Sequence, residues 1–265
     1  MKHIVSISGG VSSAVAADRV MQRYGKEDVT LWFADTSWED SDLYRFMFDC
    51  SSRWNKWPVI YKDGRNPIQV FTDEHIIPNS RIAPCTFRLK IEPFMKYVTR
   101  AKKPVTVHLG MDWTEEHRMT SPRERYEAIE GVTVEFPLTW EPVETRSYFE
   151  IIEKDWGIEI PRLYTESFPH NNCGGRCVKQ GQAGWKTLRM KRQASFNEVR
   201  DWELWMKSQG GAAENYTIMK RQKNKVTEYV TLAQLEDEWE QSRELQLENK
   251  TKVVLEDAYT CHCTY

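Results

Sequence analysis

The N-terminal part of the chain constrains the fold most, because an apolar run leads through a serine- and glycine-rich loop into a helical pattern. The run covers residues 4–7, the loop is Ser8-Gly9-Gly10-Val11-Ser12-Ser13, and apolar residues then recur at helical spacing up to Tyr24. The two glycines allow positive φ and a close approach of the backbone to a ligand. This order predicts the first βαβ unit of a parallel sheet, with the loop at the carboxyl end of a strand.

The composition of this loop favours a bound anion. Amide N–H groups at the glycines can point at an anion, the start of the helix adds partial positive charge, and short serine hydroxyls reach phosphate oxygens. The loop lacks the Lys of the G-x-x-x-x-G-K-[ST] loop and the third Gly of the G-x-G-x-x-G fingerprint, which argues against kinase-like and dehydrogenase sites. We expect a nucleotide to be bound by Ser6, Ser8, Gly9, Gly10, Ser12 and Ser13.

Short β-rich runs alternate with amphipathic stretches through the first half of the chain. The predicted strands cover residues 4–7, 29–34, 59–61, 105–109 and 132–136. The pattern predicts an α/β fold with a doubly wound, mostly parallel sheet. It changes after Pro142, so we predict a nucleotide-binding domain over residues 1–142 and a helical, cysteine-bearing extension over residues 143–265.

The extension has its own predicted elements. Helical patterns cover residues 148–156, 196–207 and 232–248, and residues 216–219 and 226–230 can pair as a hairpin. Residues 161–184 are rich in Gly, Asn and Cys and read as a loop. Four basic residues fall close together on one possible helix, where a solvated face is expected and a polyanion contact is the alternative; these are Lys186, Arg189, Lys191 and Arg192.

Composition limits the class of protein. The chain has 265 residues, 40% of them hydrophobic, and a formal net charge of −2, so it offers no global attraction to nucleic acid. No apolar run reaches the roughly eighteen residues of a membrane span, and no secretory leader pattern precedes the first strand. We therefore expect a cytoplasmic protein with no membrane role and with reduced cysteines.

Cysteines provide the second chemical signal. Cys173 and Cys177 are separated by Gly174-Gly175-Arg176, and the tail carries Cys261-His262-Cys263. With Cys85 as a further member, and Cys50 interpreted as a buried apolar residue, five thiols remain for a four-coordinate Zn²⁺ or an iron–sulfur cluster, so that one would be surplus or catalytic. The predicted ligands are Cys85, Cys173, Cys177, Cys261 and Cys263. His262 would favour zinc, and scattered structural thiols are the alternative.

The N-terminal loop resembles the S-G-G-x-D-S loop of the PP-loop ATP pyrophosphatases (adenine nucleotide alpha hydrolases), with Ser12 in place of the Asp. Three later segments resemble the phosphoadenylylsulfate (PAPS) reductase branch. They are Asp35-Thr36-Ser37-Trp38-Glu39, Cys85 to Pro93, and the segment that starts at Gly110. The segment around Cys173 looks like one found in reductase-like PP-loop proteins, whereas the reductases' C-terminal Glu-Cys-Gly-x-His motif is absent.

This resemblance implies ATP or an adenylylsulfate as the bound nucleotide, with Mg²⁺. Asp35 would contact the ribose or adenine or hold Mg²⁺, a local helix cap being the alternative, and Gly110 would make room for the nucleoside. Arg88, Lys90 and Arg118 are the candidate catalytic cations, with solvated surface positions as the alternative. Arg118 falls one residue before the family's Arg, so its role is our own expectation.

Three functions remain open from the sequence. The first is adenylation of a substrate by ATP followed by sulfur or nitrogen transfer, on a small molecule or a nucleic acid. The second is reduction of an adenylylsulfate, and the third is a noncatalytic nucleotide-binding module. A homo-oligomer is compatible with all three.

Overall fold

The computed structural model describes residues 2–223 and 225–244. Its central strands are β1 (Lys2–Ile7), β2 (Val29–Asp35), β3 (Val59–Lys62), β4 (Val105–Leu109) and β5 (Val132–Glu135). They form one parallel sheet in the order β3-β2-β1-β4-β5. The five predicted strands are thereby confirmed, and the α/β fold class with them.

Helices cover both faces of the sheet and build the C-terminal region. They are α1 (Val11–Tyr24), α2 (Ser41–Trp54), α3 (Pro67–Asp73), α4 (Pro84–Thr86), α5 (Glu92–Arg100), α6 (Thr120–Glu127), α7 (Tyr148–Glu150), α8 (Arg162–Thr165), α9 (Gln182–Lys191), α10 (Gln193–Ser208) and α11 (residues 232–244). Two π-helical segments, Phe87–Ile91 and Ile151–Asp155, follow α4 and α7. In the described part of the chain, no helix has both the length and the apolar character needed to cross a membrane.

Side chains of each central strand alternate between two apolar layers. Val5 and Ile7 of β1 pack with α1 and α2 on one face, whereas Ile4 packs with α5 and α6 on the other. Phe46 of α2 and Phe94 of α5 are fully buried in these layers. Burial of one such side chain stabilises the fold by about 1.5–3 kcal/mol, so the sheet is held firmly from both sides.

The strand order places a switch point beside β1. From β1 the chain first builds outward through β2 and β3 and then returns to add β4 and β5 on the other side. The loops after β1 and β4 therefore meet at the carboxyl edge of the sheet. In open α/β sheets this crevice is where ligands bind.

The C-terminal region has its own apolar core, formed by α9, α10 and α11 around the fully buried Trp185 and Phe196. β6 (Met219–Lys223) and β7 (Val226–Val230) form an antiparallel hairpin beside it. The predicted hairpin is confirmed, but its first strand begins at Met219, where the prediction ended.

Predicted helices of the extension are also confirmed where the structure describes them. The 148–156 pattern forms α7 and its π-helical continuation, the 196–207 pattern lies within α10, and the 232–248 pattern is helical up to residue 244, where the description ends. The prediction of a loop over residues 161–184 was wrong in part, because α8 and the start of α9 lie within it. Arg189 binds Glu236 of α11 and Arg192 binds Glu166, so these two members of the basic group join elements within the chain.

The division at residue 142 stays a prediction. Ile151 and Ile152, which follow this proposed boundary, pack in the same apolar layer as β1 and α1.

Candidate active site

The phosphate loop, residues 8–13, connects β1 to α1. Gly9 has a φ of 78°, and a Cβ at this position would lie 2.6 Å from Cγ of Leu43, so the turn requires glycine. Gly10 has a φ of −96° and is the N-cap residue of α1, and no side chain caps the helix there. The expectation of a positive φ at both glycines is therefore correct only for Gly9. The N–H groups in the first turn of a helix have no acceptor within it; that of Val11 faces the hydroxyl of Tyr164, and the next two, at Ser12 and Ser13, remain donors for an anion.

The serines of the loop have different roles. Ser13 is a brace: its Oγ accepts a hydrogen bond from the backbone N–H of Ser8 at 3.1 Å and donates one to the carbonyl of Gly10 at 2.8 Å. The side chain of Ser8 is exposed and that of Ser12 is half-buried. Ser6 lies within β1, beside Leu109 of β4. Because the hydroxyl of Ser8 also donates to Oγ of Ser13 at 3.2 Å, Ser12 is the loop serine whose hydroxyl is best placed to donate to a ligand.

Gly110, directly after β4, touches the start of α1. A Cβ on Gly110 would lie 3.0 Å from Cα and 3.3 Å from the backbone N of Ser13, and 3.4 Å from the carbonyl oxygen of Ser12. These are backbone atoms, which cannot rotate away. The absence of a side chain at Gly110 therefore lets the loops after β1 and β4 pack together.

Asp35 ends β2 and is buried. Its Oδ1 accepts hydrogen bonds from the backbone N–H of Ser37 and the hydroxyl of Tyr44, both at 2.8 Å, and its Oδ2 lies 3.5 Å from Nζ of Lys62. The carboxylate therefore has a local structural role in the turn. Contact with a ribose, an adenine or Mg²⁺ stays a prediction.

Glu39 lies at the centre of the site although the sequence analysis did not single it out. Its side chain is 1% exposed, accepts a hydrogen bond from the hydroxyl of Thr36 at 2.8 Å, and lies 3.6 Å from Nζ of Lys90. Its Oε2 accepts the backbone N–H of Cys173 at 2.6 Å. One buried carboxylate thus connects the turn after β2, a predicted catalytic lysine and the first cysteine of the pair.

Three thiols lie around Lys90. Burial lowers the pKa of this lysine, but the Glu39 carboxylate and the thiols of Cys173, Cys177 and Cys85 more than offset burial and raise it, so the amine is charged. The hydrogen bond between Cys173 and Cys177 raises the pKa of the first thiol and lowers that of the second. Burial raises the pKa of Cys85 to about 11. The structure therefore brings together the three predicted cysteine ligands that it describes.

The segment that carries the cysteine pair also contacts the phosphate loop. The side-chain amide of Asn171 donates a hydrogen bond to the carbonyl of Gly9 at 2.8 Å, and Asn171 is buried. Further along, the guanidinium of Arg176 lies over the ring of Trp38 and donates to its carbonyl at 2.9 Å. Both contacts hold residues 171–177 close to the carboxyl edge of the sheet.

Arg88 and Arg118 lie on the surface in ion pairs. Arg88 binds Glu74 at 2.6 Å and Glu92 at 3.5 Å, and Arg118 binds Glu115. About half of each arginine side chain is exposed, 44% and 55%. These contacts match the solvated alternative, and a role of either arginine at the phosphates stays a prediction.

Within residues 2–223 and 225–244, no group of three or more His, Cys, Asp or Glu side chains is arranged to hold a metal ion. Cys261, His262 and Cys263, which the sequence analysis adds to the predicted centre, lie outside the described residues. The described thiols have the chemistry of zinc or iron ligands, and they supply only part of the predicted set.

Sequence reasoning missed Glu39, Asn171 and Tyr164. Glu39 could have been found from the Asp-x-x-x-Glu spacing after the second strand. The side chains of Asn171 and Tyr164 meet the phosphate loop only through long-range packing, and no local pattern in the sequence signals that contact.

Comparisons with known proteins find similarity among solved structures only. No family model matches the chain, and no curated protein matches it. Among solved structures, the PAPS reductase from Candida auris in its phosphate complex is similar, with 16% sequence identity and a TM-score of 0.43. The match covers 63% of this chain and 79% of that one. At this level the likeness assigns no activity to the chain.

Proposed function

We propose that the chain is a PP-loop enzyme of the PAPS reductase-like kind that adenylates a substrate with ATP and then transfers sulfur or nitrogen to it. One observation supports the proposal most: the segment from Asn171 to Cys173 contacts the phosphate loop at one end and holds a thiol of the cysteine pair at the other. Asn171 binds the carbonyl of Gly9, and two residues later the N–H of Cys173 binds the buried Glu39. A nucleotide on the loop and the cysteine pair would share one site.

In the adenylation step, an oxygen of the substrate attacks the α-phosphorus of ATP and pyrophosphate leaves. A sulfur or nitrogen nucleophile then displaces AMP. The backbone N–H groups at the start of α1 would hold the phosphates, and the charged Lys90 would offset negative charge that develops on their oxygens. Gly110 keeps the neighbouring loop close to α1. Asp35 would contact the nucleoside or Mg²⁺.

In the structure, Arg88 and Arg118 bind acidic side chains, whereas the proposed catalytic role requires contact with a phosphate. Arg88 would have to exchange Glu74, and Arg118 would have to exchange Glu115, for a phosphate oxygen. The acceptor would be a small molecule or a nucleic acid.

A second candidate is reduction of an adenylylsulfate, which the hydrogen-bonded pair of Cys173 and Cys177 favours. A thiolate would attack the sulfur and release the nucleotide, and a second thiol would then displace sulfite and form a disulfide. Two electrons pass from the thiols to the sulfate group in this sequence of steps.

Product analysis distinguishes the candidates. With ATP and a candidate acceptor, adenylation releases pyrophosphate, whereas reduction releases sulfite from an adenylylsulfate. Nucleotide binding with neither product would leave a noncatalytic module, and failure to bind either nucleotide would contradict all three functions. Lys90→Met should abolish turnover in both enzymatic cases, whereas Lys96→Met, which removes an exposed lysine paired with Glu92, should not.

We also propose that Cys85, Cys173 and Cys177 form the described part of a zinc or iron–sulfur site that Cys261 and Cys263 complete. Such a group would bind or deliver sulfur. Anaerobic purification and metal analysis test this: Cys173→Ser should lower the content of iron or zinc, whereas Cys50→Ala, a buried change in another core, should not. Unchanged metal content in Cys173→Ser, or no metal in the wild type, would contradict the site.

A further inference from the structure

Tyr164 of α8 places its hydroxyl at the start of α1. The backbone N–H groups of Val11 and Asn171 lie near this hydroxyl and act to lower its pKa. A Cβ on Gly10 would lie 3.0 Å from the hydroxyl oxygen. Because the backbone of Gly10 has a negative φ, what glycine provides at this position is space for the tyrosine.

The hydroxyl of Tyr164 can still donate one hydrogen bond. A phenolic oxygen accepts two hydrogen bonds and donates one. Two backbone N–H groups lie near the hydroxyl oxygen, and the O–H donates a hydrogen bond to no group among the described residues. Burial raises the pKa of Tyr164 by more than the two donors lower it, and the proton is retained at neutral pH.

A second polar side chain beside the loop also has an atom without a hydrogen-bond partner among the described residues. Asn171 is 2% exposed, and its side-chain N–H₂ is engaged by the carbonyl of Gly9. Its Oδ1 is buried and has no hydrogen-bond partner among the described residues. A buried amide oxygen without a partner requires a hydrogen-bond donor that the described residues do not supply, such as a hydroxyl or amino group of a nucleoside.

The flanks of Tyr164 are anchored, so it is held in place. Arg162 binds Asp40 at 2.8 Å, and Arg192 binds Glu166 at 2.6 Å, so that charged contacts fix the residues on both sides. The ring of Phe149 packs edge-on against Tyr164, with the centroids 5.0 Å apart. These contacts favour a fixed donor over a side chain that withdraws to admit a ligand.

We propose that Tyr164 is a phosphate-binding residue whose O–H donates to an oxygen of the nucleotide's phosphate tail. The inference rests on the proposed function and adds to it a side chain from the C-terminal extension. Within the loop, the hydroxyl of Ser13 donates to the carbonyl of Gly10 and that of Ser8 donates to Ser13, so Tyr164 would add a donor to the one that Ser12 offers. The ligand class is a nucleoside polyphosphate.

The test compares ATP binding by the full-length wild type, Tyr164→Phe and Tyr148→Phe in calorimetric titrations. Tyr164→Phe removes only the hydroxyl and should weaken ATP binding about ten-fold or more, the typical effect of losing a hydrogen bond to a charged group. Tyr148→Phe is the matched control, because its hydroxyl bonds to Asp112 at 3.4 Å and not to the loop. Thermal unfolding without nucleotide should give similar midpoints for the two variants.

The possible outcomes are distinct. If Tyr164→Phe binds ATP as tightly as the wild type, the hydroxyl makes no bond to the phosphates and the inference fails while the proposed function stands. If it binds more tightly, the hydroxyl occupies the place of a phosphate oxygen, which also overturns the inference. If the wild type binds no adenine nucleotide, the proposed function fails, and the inference with it.

Discussion

At the scale of single residues, Ser37 shows how strain is used at the site. Its φ of 58° lies in the left-handed region, which costs a residue with a side chain roughly 1–2 kcal/mol. The strained turn lets the N–H of Ser37 bond to Asp35 at 2.8 Å and leads the chain to Glu39.

We expect Ser37→Gly to leave the fold unchanged and to raise the free energy of unfolding by up to about 1 kcal/mol, because relief of strain outweighs the added freedom of the unfolded chain. Urea unfolding measures the change. Ser52→Gly, at an exposed position within α2, should instead lower stability by about 0.5 kcal/mol. A clear loss of stability in Ser37→Gly would show that the serine side chain stabilises this turn.

Gly110→Ala should weaken ATP binding without unfolding the protein. The added methyl group would lie 3.0 Å from the Cα of Ser13, so the loop after β4 or the start of α1 must shift. A matched control is Gly181→Ala, where φ is −79° and a Cβ meets nothing within 4 Å. If both variants bind ATP with equal affinity, Gly110 does not contribute to the nucleotide site.

Local sequence patterns predict part of this site and miss the rest for a physical reason. The left-handed Gly9 follows from a motif whose geometry is set within a few residues. The position of Lys90 beside Cys173 and Cys177 does not, because these residues are far apart in the chain. Tyr164 and Asn171 reach the loop only because α8 and the segment after it fold back over the sheet edge. Such contacts depend on packing between distant parts of the chain, which one sequence does not encode in any local spacing.

At the scale of elements, buried strands are predicted more accurately than exposed ones. The runs that form β1, β2 and β4 are apolar because both faces of the sheet are covered, and their positions follow directly from the sequence. β6 has the sequence Met-Lys-Arg-Gln-Lys and no apolar pattern. It forms through its pairing with β7 and through ion pairs of Arg221 with Glu228 and Glu238, so its start was predicted too early.

Glu203 joins three elements of the C-terminal region. It lies in α10 with no exposed surface, and its two carboxylate oxygens accept the backbone N–H groups of Ile218 before β6 and Leu232 of α11, both at 2.7 Å. Glu203→Ala would leave two buried N–H groups without acceptors. We expect the free energy of unfolding to fall by about 2–4 kcal/mol in urea titrations. The control Glu214→Ala, at an exposed position, should change it little, and a small effect at Glu203 would show that water replaces the carboxylate.

At the scale of the whole molecule, buried ionisable groups act on stability in opposite directions as the pH changes. Burial, with the nearby His3 and Arg23, lowers the pKa of His108 from 6.5 to about 3. Its contribution to stability is complete above pH 6.5 and is lost as the pH falls toward 3. Burial raises the pKa of Glu203 from 4.5 to about 7, against its two N–H donors. This group favours the folded state most below pH 4.5, and its contribution is lost as the pH rises toward 7.

Between pH 5 and 6.5 the contributions of His108 and Glu203 have opposite slopes and nearly cancel, so together these two groups should change the unfolding free energy little. A variant that removes one of the two groups should show how the other makes the unfolding free energy depend on pH. In His108→Gln, stability should rise as the pH falls across this window, by up to about 1.4 kcal/mol per pH unit, because the opposing histidine is gone. In Glu203→Gln it should fall by a similar amount. Urea unfolding at several pH values measures both slopes, and parallel profiles for the wild type and the two variants would show that neither group changes its protonation on unfolding in this range.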